Sequence, residues 1–275
     1  LNKKKADGSE ILQAGDMIQV FFSDETFSKM RGQEAVSSEY QKLLQVPHEL
    51  QVIYEDDLML IVNKPSGMLS QKASESDISL NESILSYLIH DGLLSEEAYA
   101  VFHPSVANRL DRNTSGIVLA GKTLAGQQFL SDILRDRSAK KIYHCIVRGK
   151  VEEEMHLKGY LLKDERSNQV QIFSDETQDA KPIETAYRPL VVGPDATLLE
   201  VHLITGRSHQ IRAHLASIGH PIAGDPKYGD MVWNKKLRQD FSVRSQLLHA
   251  YSITLPDGRT FIADEPEIFS QIMRG

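Results

Sequence analysis

Three stretches of this chain alternate apolar and polar residues with a period of two, and they constrain the fold more than any other feature. Residues 141–147 place Tyr143, Cys145 and Val147 on one side and Ile142, His144 and Ile146 on the other. Residues 183–191 and 197–204 alternate likewise, with Leu199, Val201 and Leu203 sharing a face. Successive side chains of an extended chain point in opposite directions, so this pattern predicts strands. No regular succession of strand and helix separates them, which argues against a doubly wound nucleotide-binding sheet. The expected class is α+β. With 275 residues the chain can form one large domain, or a medium one with an appendage.

Residues 11–22, ILQAGDMIQVFF, hold two short apolar runs about a Gly15-Asp16 turn, the pattern of a small β-hairpin. Residues 23–47 turn polar and lose periodicity, reading as a linker in which residues 40–44 could form a helical turn. The main domain is expected over residues 48–275. Its opening, QVIYEDDLMLIVNKPSG, reads as strand, acidic turn, strand and a break at Lys64-Pro65-Ser66-Gly67. Ser79-Leu80-Asn81-Glu82 has the capping-box spacing that opens a helix, with Leu80, Ile84 and Leu88 on one face and Gly92 as the stop. After the loop NRLDRNTSG (108–116), residues 117–120 predict a buried strand. Thr123 then caps a helix whose apolar residues are Leu124, Phe129, Leu130, Ile133 and Leu134.

Several chemistries lose their signatures. The chain contains no G-x-x-x-x-G-K-[ST], no H-E-x-x-H, no G-x-S-x-G, and no G-x-G-x-x-G following a strand. Its ten histidines lack metal-ligand spacing, and Cys145 is the single cysteine, so neither a metal site nor an internal disulfide is expected. With no disulfide, and with no apolar run near the roughly 20 residues of a membrane span, a cytoplasmic protein is expected. A chain that opens on Leu1 is expected to continue upstream. The net charge of −7 removes any general electrostatic case for nucleic-acid binding, leaving only local basic clusters: Asn2-Lys3-Lys4-Lys5, and the arginines near 109–112 and 207–212.

Those arginines lie in NRLDRNTSG and in TGRSHQIRAHLASIGHPIAGDPKYG (205–229). In the second, Ser208 is the expected cap of a helix with Ile211, Leu215 and Ile218 on its apolar face, ended by Gly219 and Pro221. Arg212 falls about 100° round from Ile211, at the border of that face, with His209 one turn before it. A guanidinium there strongly favours a carboxylate partner, because an unpaired buried charge is expensive. From the residues alone, the favoured reading is that Asp111 closes an Asx-type turn before Thr114-Ser115-Gly116, with Arg212 in a structural ion pair.

Five ordered blocks overturn that reading: VNKPSGM (62–68), NRLDRNTSGIVLAGKT (108–123), KKIYHCIVRG (140–149), TGRSHQIRAHLASIGHPIAGDPKYG, and LLHAYSITLPDG (247–258). Together they resemble the RluA-type pseudouridine synthases, which isomerise uridine to pseudouridine in structured RNA, over roughly residues 48–275. The resemblance implies a mixed, largely antiparallel sheet with flanking helices and loops around a central RNA-binding cleft. It implies that Asp111 is the catalytic aspartate, that Tyr143 packs against the target base, and that Arg212 pairs with Asp111. Arg109 matches the arginine that enters the RNA stack to help flip the base, and Arg207 is a further candidate for RNA contact. Lys64, Pro65 and Gly67 match a motif near the active-site wall. It also implies RNA as partner, ribosomal RNA first and transfer RNA second, no cofactor, no membrane, and a monomer. One departure stands out: the family commonly has histidine before Arg-Leu-Asp, where this chain has Asn108, which can hydrogen-bond but not titrate. Residues 1–22 resemble the last half of a small ribosomal-protein-type RNA-binding domain.

The implied reaction breaks the bond from ribose to base nitrogen, turns the base and rejoins it through carbon, with no redox change. A carboxylate that stays ionised can attack or stabilise the sugar, and nearby guanidinium groups favour that ionised form. The base must first leave the stack, at a cost of a few kcal/mol that an inserted side chain and a packed pocket offset. Two other readings remain: a non-catalytic RNA-binding protein of the same fold, and a glycoside hydrolase, whose usual second carboxyl group could only be Asp225.

Overall fold

The computed structural model describes residues 33–164 and 169–274, with isolated positions 13, 15 and 17. The hairpin expected over residues 11–22 lies outside the described residues apart from those three positions. The strands are β1 (Val52–Glu55), β2 (Met59–Lys64), β3 (Ser105–Val106), β4 (Ser115–Gly121), β5 (Lys140–Arg148), β6 (Met155–Asp164), β7 (Gln169–Phe173), β8 (Lys181–Val192), β9 (Ala196–Leu203), β10 (Leu248–Thr254) and β11 (Thr260–Ile262). The helices are α1 (Gln33–Leu43), α2 (Leu80–His90), α3 (Glu96–Val101), α4 (Leu124–Arg135), α5 (Gln210–Ser217), α6 (Met231–Phe241) and α7 (Ile268–Arg274).

One sheet runs β1-β2-β4-β10-β5-β9-β8-β6-β7, with β3 against β4 and β11 against β10. The β10–β4 pair is parallel and its neighbours are antiparallel, so the sheet is mixed and largely antiparallel as expected. Both faces are covered, which is where the period of two has its effect. Leu60 and Val62 enter a core shared with α1, α2, α3 and α5, while Met59 and Ile61 enter a second core with Leu130 and Ile133 of α4. On β5, Tyr143, Cys145 and Val147 join the first core, whereas Ile146 faces Leu237 of α6 and Phe269 of α7.

Register places one row of residues across the centre of the sheet. Lys64 pairs with Gly116, Gly116 with Ala250, Ala250 with Tyr143 and Tyr143 with Val201. Directly paired residues share a face, so Lys64 and Tyr143 flank the end of β4 from which the loop 108–114 departs. Gly116 takes φ 108°, and a Cβ there would sit 2.3 Å from the Ala250 carbonyl oxygen, so glycine allows the parallel strands to meet.

The sequence expectations differ from the structure at two places outside the site and at the start of the helix that carries Arg212. Residues 33–43, read as linker, form α1. Its Leu43 is buried, Val36, Tyr40 and Leu44 pack on the main core, and the Tyr40 hydroxyl donates to Leu94 O at 2.9 Å. The apolar residues of α1 are too few to stand out as a periodic stripe. Leu124, the first residue of α4, is 65% exposed, although Thr123 caps the helix as expected, accepting from Gly126 N at 3.1 Å. The helix after Gly206 begins one residue past the position that would make Ser208 its cap.

Candidate active site

The loop 108–114 is held from three sides. The Asn108 side chain acts as a rung on β4, accepting from Leu119 N at 2.8 Å and donating to Ile117 O at 3.2 Å. Leu110 is buried, and its amide and carbonyl both bond the Ser70 hydroxyl, each at 3.0 Å. The Lys64-Pro65-Ser66-Gly67 turn grips the far end: Gly67 N donates to Arg112 O at 2.9 Å, and Ser66 Oγ donates to Asn113 O at 2.8 Å. Lys64 is wholly buried and gives its Nζ to Pro65 O at 3.0 Å, Met68 O at 2.7 Å and Arg112 O at 3.0 Å. All three ammonium hydrogens therefore have acceptors. Burial pushes its pKa down to about 8, while the negative charge of Asp111 opposes the shift.

The turn expected at Asp111 exists, but the backbone makes it: Thr114 N donates to Asp111 O at 3.0 Å. The side chain is left for Arg212, whose Nη1 donates to Asp111 Oδ2 at 2.8 Å. The other edge of that guanidinium meets Asp225 in a two-pronged pair, Nε to Oδ2 at 2.7 Å and Nη2 to Oδ1 at 2.9 Å. Asp225 also accepts from Lys227 N and Tyr228 N. With side-chain exposures of 28% for Asp111, 5% for Arg212 and 0% for Asp225, the aspartates differ in kind. Asp225 is a buried counter-ion with its acceptors engaged, and its pKa is held below the usual carboxylate range by Arg212 and the two amides against the opposing effect of burial. It cannot serve as the second acid of a glycosidase. Asp111 keeps Oδ1 without a hydrogen-bond donor among the described residues.

Helix α5 brings Arg212 into place without a Ser208 cap. The residue preceding the helix is His209, in the left-handed region at φ 55°, and it makes no side-chain capping bond. The buried Gln210 organises this corner instead. Its Oε1 accepts from Thr205 Oγ1 at 2.8 Å and Arg207 N at 3.1 Å, and its Nε2 donates to Glu184 O and Thr185 Oγ1.

Tyr143 is buried beside this constellation, and burial, with the nearby charge of Asp111 second, raises its pKa so that the phenol stays neutral. Arg109, Arg112 and Arg207 are exposed and form no ion pair with any described residue. Thus Asp111, Arg212 and Tyr143 come together. Arg109 stands two residues from Asp111 on the same loop, and Arg207 enters on the turn that leads into α5. Sequence reasoning missed Asp225 as the partner of Arg212 and missed the contact of Tyr228 with His209; both lie in GDPKYG, whose turn character hides which side chains fold back. Among the described residues no group of three or more His, Cys, Asp or Glu could hold a metal, and no helix is long and apolar enough to cross a membrane.

The site thus holds a carboxylate fixed at one oxygen beside a buried phenol, with exposed arginines that form no ion pair among the described residues. The RNA pseudouridylate synthase family model matches residues 58–217, and the chain belongs to that family: it is an RNA pseudouridine synthase. It is 33% identical over 261 residues to the ribosomal large subunit pseudouridine synthase C of Haemophilus ducreyi, covering 94% of this chain and 76% of that protein. To the protein of the same name from Escherichia coli K12 it is 33% identical over 260 residues, covering 92% and 75%. Its fold resembles that of human RNA pseudouridylate synthase domain containing 4, with a TM-score of 0.64 at 19% identity, covering 88% of this chain and 96% of that one.

Proposed function

We propose that this synthase converts uridine to pseudouridine in ribosomal RNA of the large subunit, with Asp111 as the reacting carboxylate. The observation that carries the proposal is the asymmetry of Asp111: Oδ2 is held by Arg212 while Oδ1 is left without a donor on a partly exposed loop. Whether the carboxylate bonds to the sugar carbon or stabilises a cationic sugar, it needs a fixed position, a retained negative charge and one uncommitted oxygen. Arg212 supplies the fixed position, and its own charge is stabilised by Asp225. Tyr143 offers a neutral aromatic surface for the flipped base, and Arg109 projects from the same loop to take the place that base vacates in the stack. Arg207 contributes a phosphate contact. The large-subunit substrate rests on the similarity to ribosomal large subunit pseudouridine synthases, transfer RNA being the secondary candidate. The unit is a monomer acting in the cytoplasm, with residues 1–22 part of a small RNA-binding domain, residues 23–47 joining it to the rest, and residues 48–275 the catalytic domain.

The test is incubation of the purified protein with unmodified large-subunit ribosomal RNA and transfer RNA, followed by nucleotide-resolution mapping of pseudouridine. Wild type is expected to modify discrete uridines in the ribosomal RNA, and Asp111→Asn to bind the RNA and modify none. Turnover by Asp111→Asn near the wild-type rate would overturn the role of Asp111. RNA binding without any product from wild type would favour the non-catalytic alternative.

A further inference from the structure

His209 holds a left-handed backbone conformation at the head of α5, where its carbonyl accepts from Ala213 N at 3.0 Å. Its φ of 55° is one of four positive values among the described non-glycine residues, and such strain gathers at functional positions. Its side chain is 9% exposed, and Nε2 stands 3.9 Å from Asp111 Oδ2. On the other side of the ring, Nδ1 lies 2.9 Å from the Tyr228 hydroxyl. That hydroxyl accepts from Val170 N at 2.9 Å. Burial raises the pKa of Tyr228, so the phenol keeps its hydrogen.

With the Val170 amide donating to the Tyr228 oxygen, the phenol hydrogen is available to His209 Nδ1, and we assign it there. A neutral imidazole that accepts at Nδ1 carries its proton on Nε2, and Nε2 is the atom that faces Asp111. We propose that Tyr228 and His209 form a positioning pair for Asp111, in which Tyr228 holds the imidazole as the Nε2–H tautomer and that N–H becomes the second donor to Oδ2 beside Arg212. This rests on the reading of Asp111 as the reacting carboxylate. At 3.9 Å the contact is longer than a hydrogen bond, and a shift of about 1 Å closes it. A neutral donor steadies Oδ2 without adding a second cation, so Oδ1 keeps its reactivity. The same tautomer excludes His209 as the base that removes the uracil C5 proton, because its inward nitrogen is already protonated.

The groups facing the imidazole are Asp111, Arg212, Lys227, Asp225 and Tyr228. Burial lowers its pKa, Asp111 and Asp225 oppose the shift, and Arg212 and Lys227 reinforce it. The neutral ring therefore persists below the ordinary histidine range.

Two measurements test the pair. In nitrogen-15 NMR of the full chain at neutral pH, His209 is expected as the Nε2–H tautomer; finding Nδ1–H would overturn the proposal. In steady-state assays on the unmodified ribosomal RNA, His209→Asn, whose amide falls near Nδ1, is expected to lose about ten- to a hundredfold in kcat with KM within about twofold. His209→Gln, whose amide reaches the place of Nε2, is expected to recover most of that loss. Tyr228→Phe removes the hydrogen that favours the neutral ring, so the acid limb of its kcat profile is expected to move to higher pH. Equal rates for the Asn and Gln variants, or an unmoved acid limb, would count against the proposal. Turnover by Asp111→Asn would instead remove the underlying reading while leaving the tautomer measurement intact.

Discussion

Lys64 shows how a residue can shape the site without touching substrate. Its ammonium joins the carbonyl of Arg112, inside the loop that presents Asp111, to the carbonyls of Pro65 and Met68. The cation costs stability at neutral pH, because burial depresses its pKa from 10.5 to about 8. Between those values the unfolded chain binds more protons than the folded one, so stability rises with pH across the interval, by at most about 1.4 kcal/mol per pH unit. Lys64→Met removes that dependence. Urea denaturation at pH 7.5, 8.5 and 9.5 should show wild type gaining on the variant as pH rises; parallel curves would mean the ammonium is not depressed. Arg212 is a poorer target for separating chemistry from folding. Removing it leaves Asp225 buried and unpaired, a loss of about 3–5 kcal/mol that would obscure any effect on Asp111.

At the scale of elements, what sequence could reveal depended on whether the determining interactions were local. The helix over Leu80–His90 was legible because both halves of its capping box are local: the Ser79 side chain accepts from a backbone N–H of the first turn while Glu82 accepts from Ser79 N. Strands β5, β8 and β9 were legible from their period. The short α3 and the two-residue β3 offer too few residues for a period to show. Helix α1 was hidden for another reason. It buries Leu43 and half-buries Val36, Tyr40 and Leu44 among polar residues, so its stabilisation comes from α2 and α3 rather than from its own pattern. In the site, the ion pair of Asp111 and Arg212 spans 101 residues. A border-placed arginine signals a carboxylate partner, but no local rule says that two would share it, or that Asp225 takes the buried edge. Helix α1 also bears on the domain boundary. A chain beginning at His48 loses the contacts of Leu43, the Tyr40–Leu94 bond and the acceptor of the Ser86 hydroxyl, Val46 O. Compared with a chain beginning at residue 33, it should be less stable by about 3 kcal/mol, lowering Tm by roughly 6–12 °C in thermal melts. Equal melting temperatures would put the boundary back at His48.

For the whole molecule, the difficulty is a net charge of −7 on a protein whose substrate is a polyanion. Averaged over the surface, the field opposes RNA, so binding must depend on where the positive charges stand. The fold resolves this by joining two distant segments at one corner. The loop before β4 presents Arg109 and Arg112, and the loop before α5 presents Arg207. All three are exposed and uncommitted to ion pairs with described residues, while Arg188, on the remote β8, is neutralised by Glu200. If these three arginines carry the phosphate contacts, the logarithm of RNA affinity falls with the logarithm of salt at a slope of roughly −2 to −3, since each contact releases about 0.7–0.9 of a counterion. Binding titrations on the Asp111→Asn background, which separate affinity from turnover, should give that slope at 50–300 mM salt. Arg207→Ala should flatten it by roughly 0.7–0.9 and weaken all RNA about equally. Arg109→Ala should do more than flatten it: an arginine that takes the place of a flipped base also stabilises the unstacked state, so its loss lowers kcat on duplex targets more than on single strands. A slope unchanged in both variants would place the RNA path on another face of the sheet.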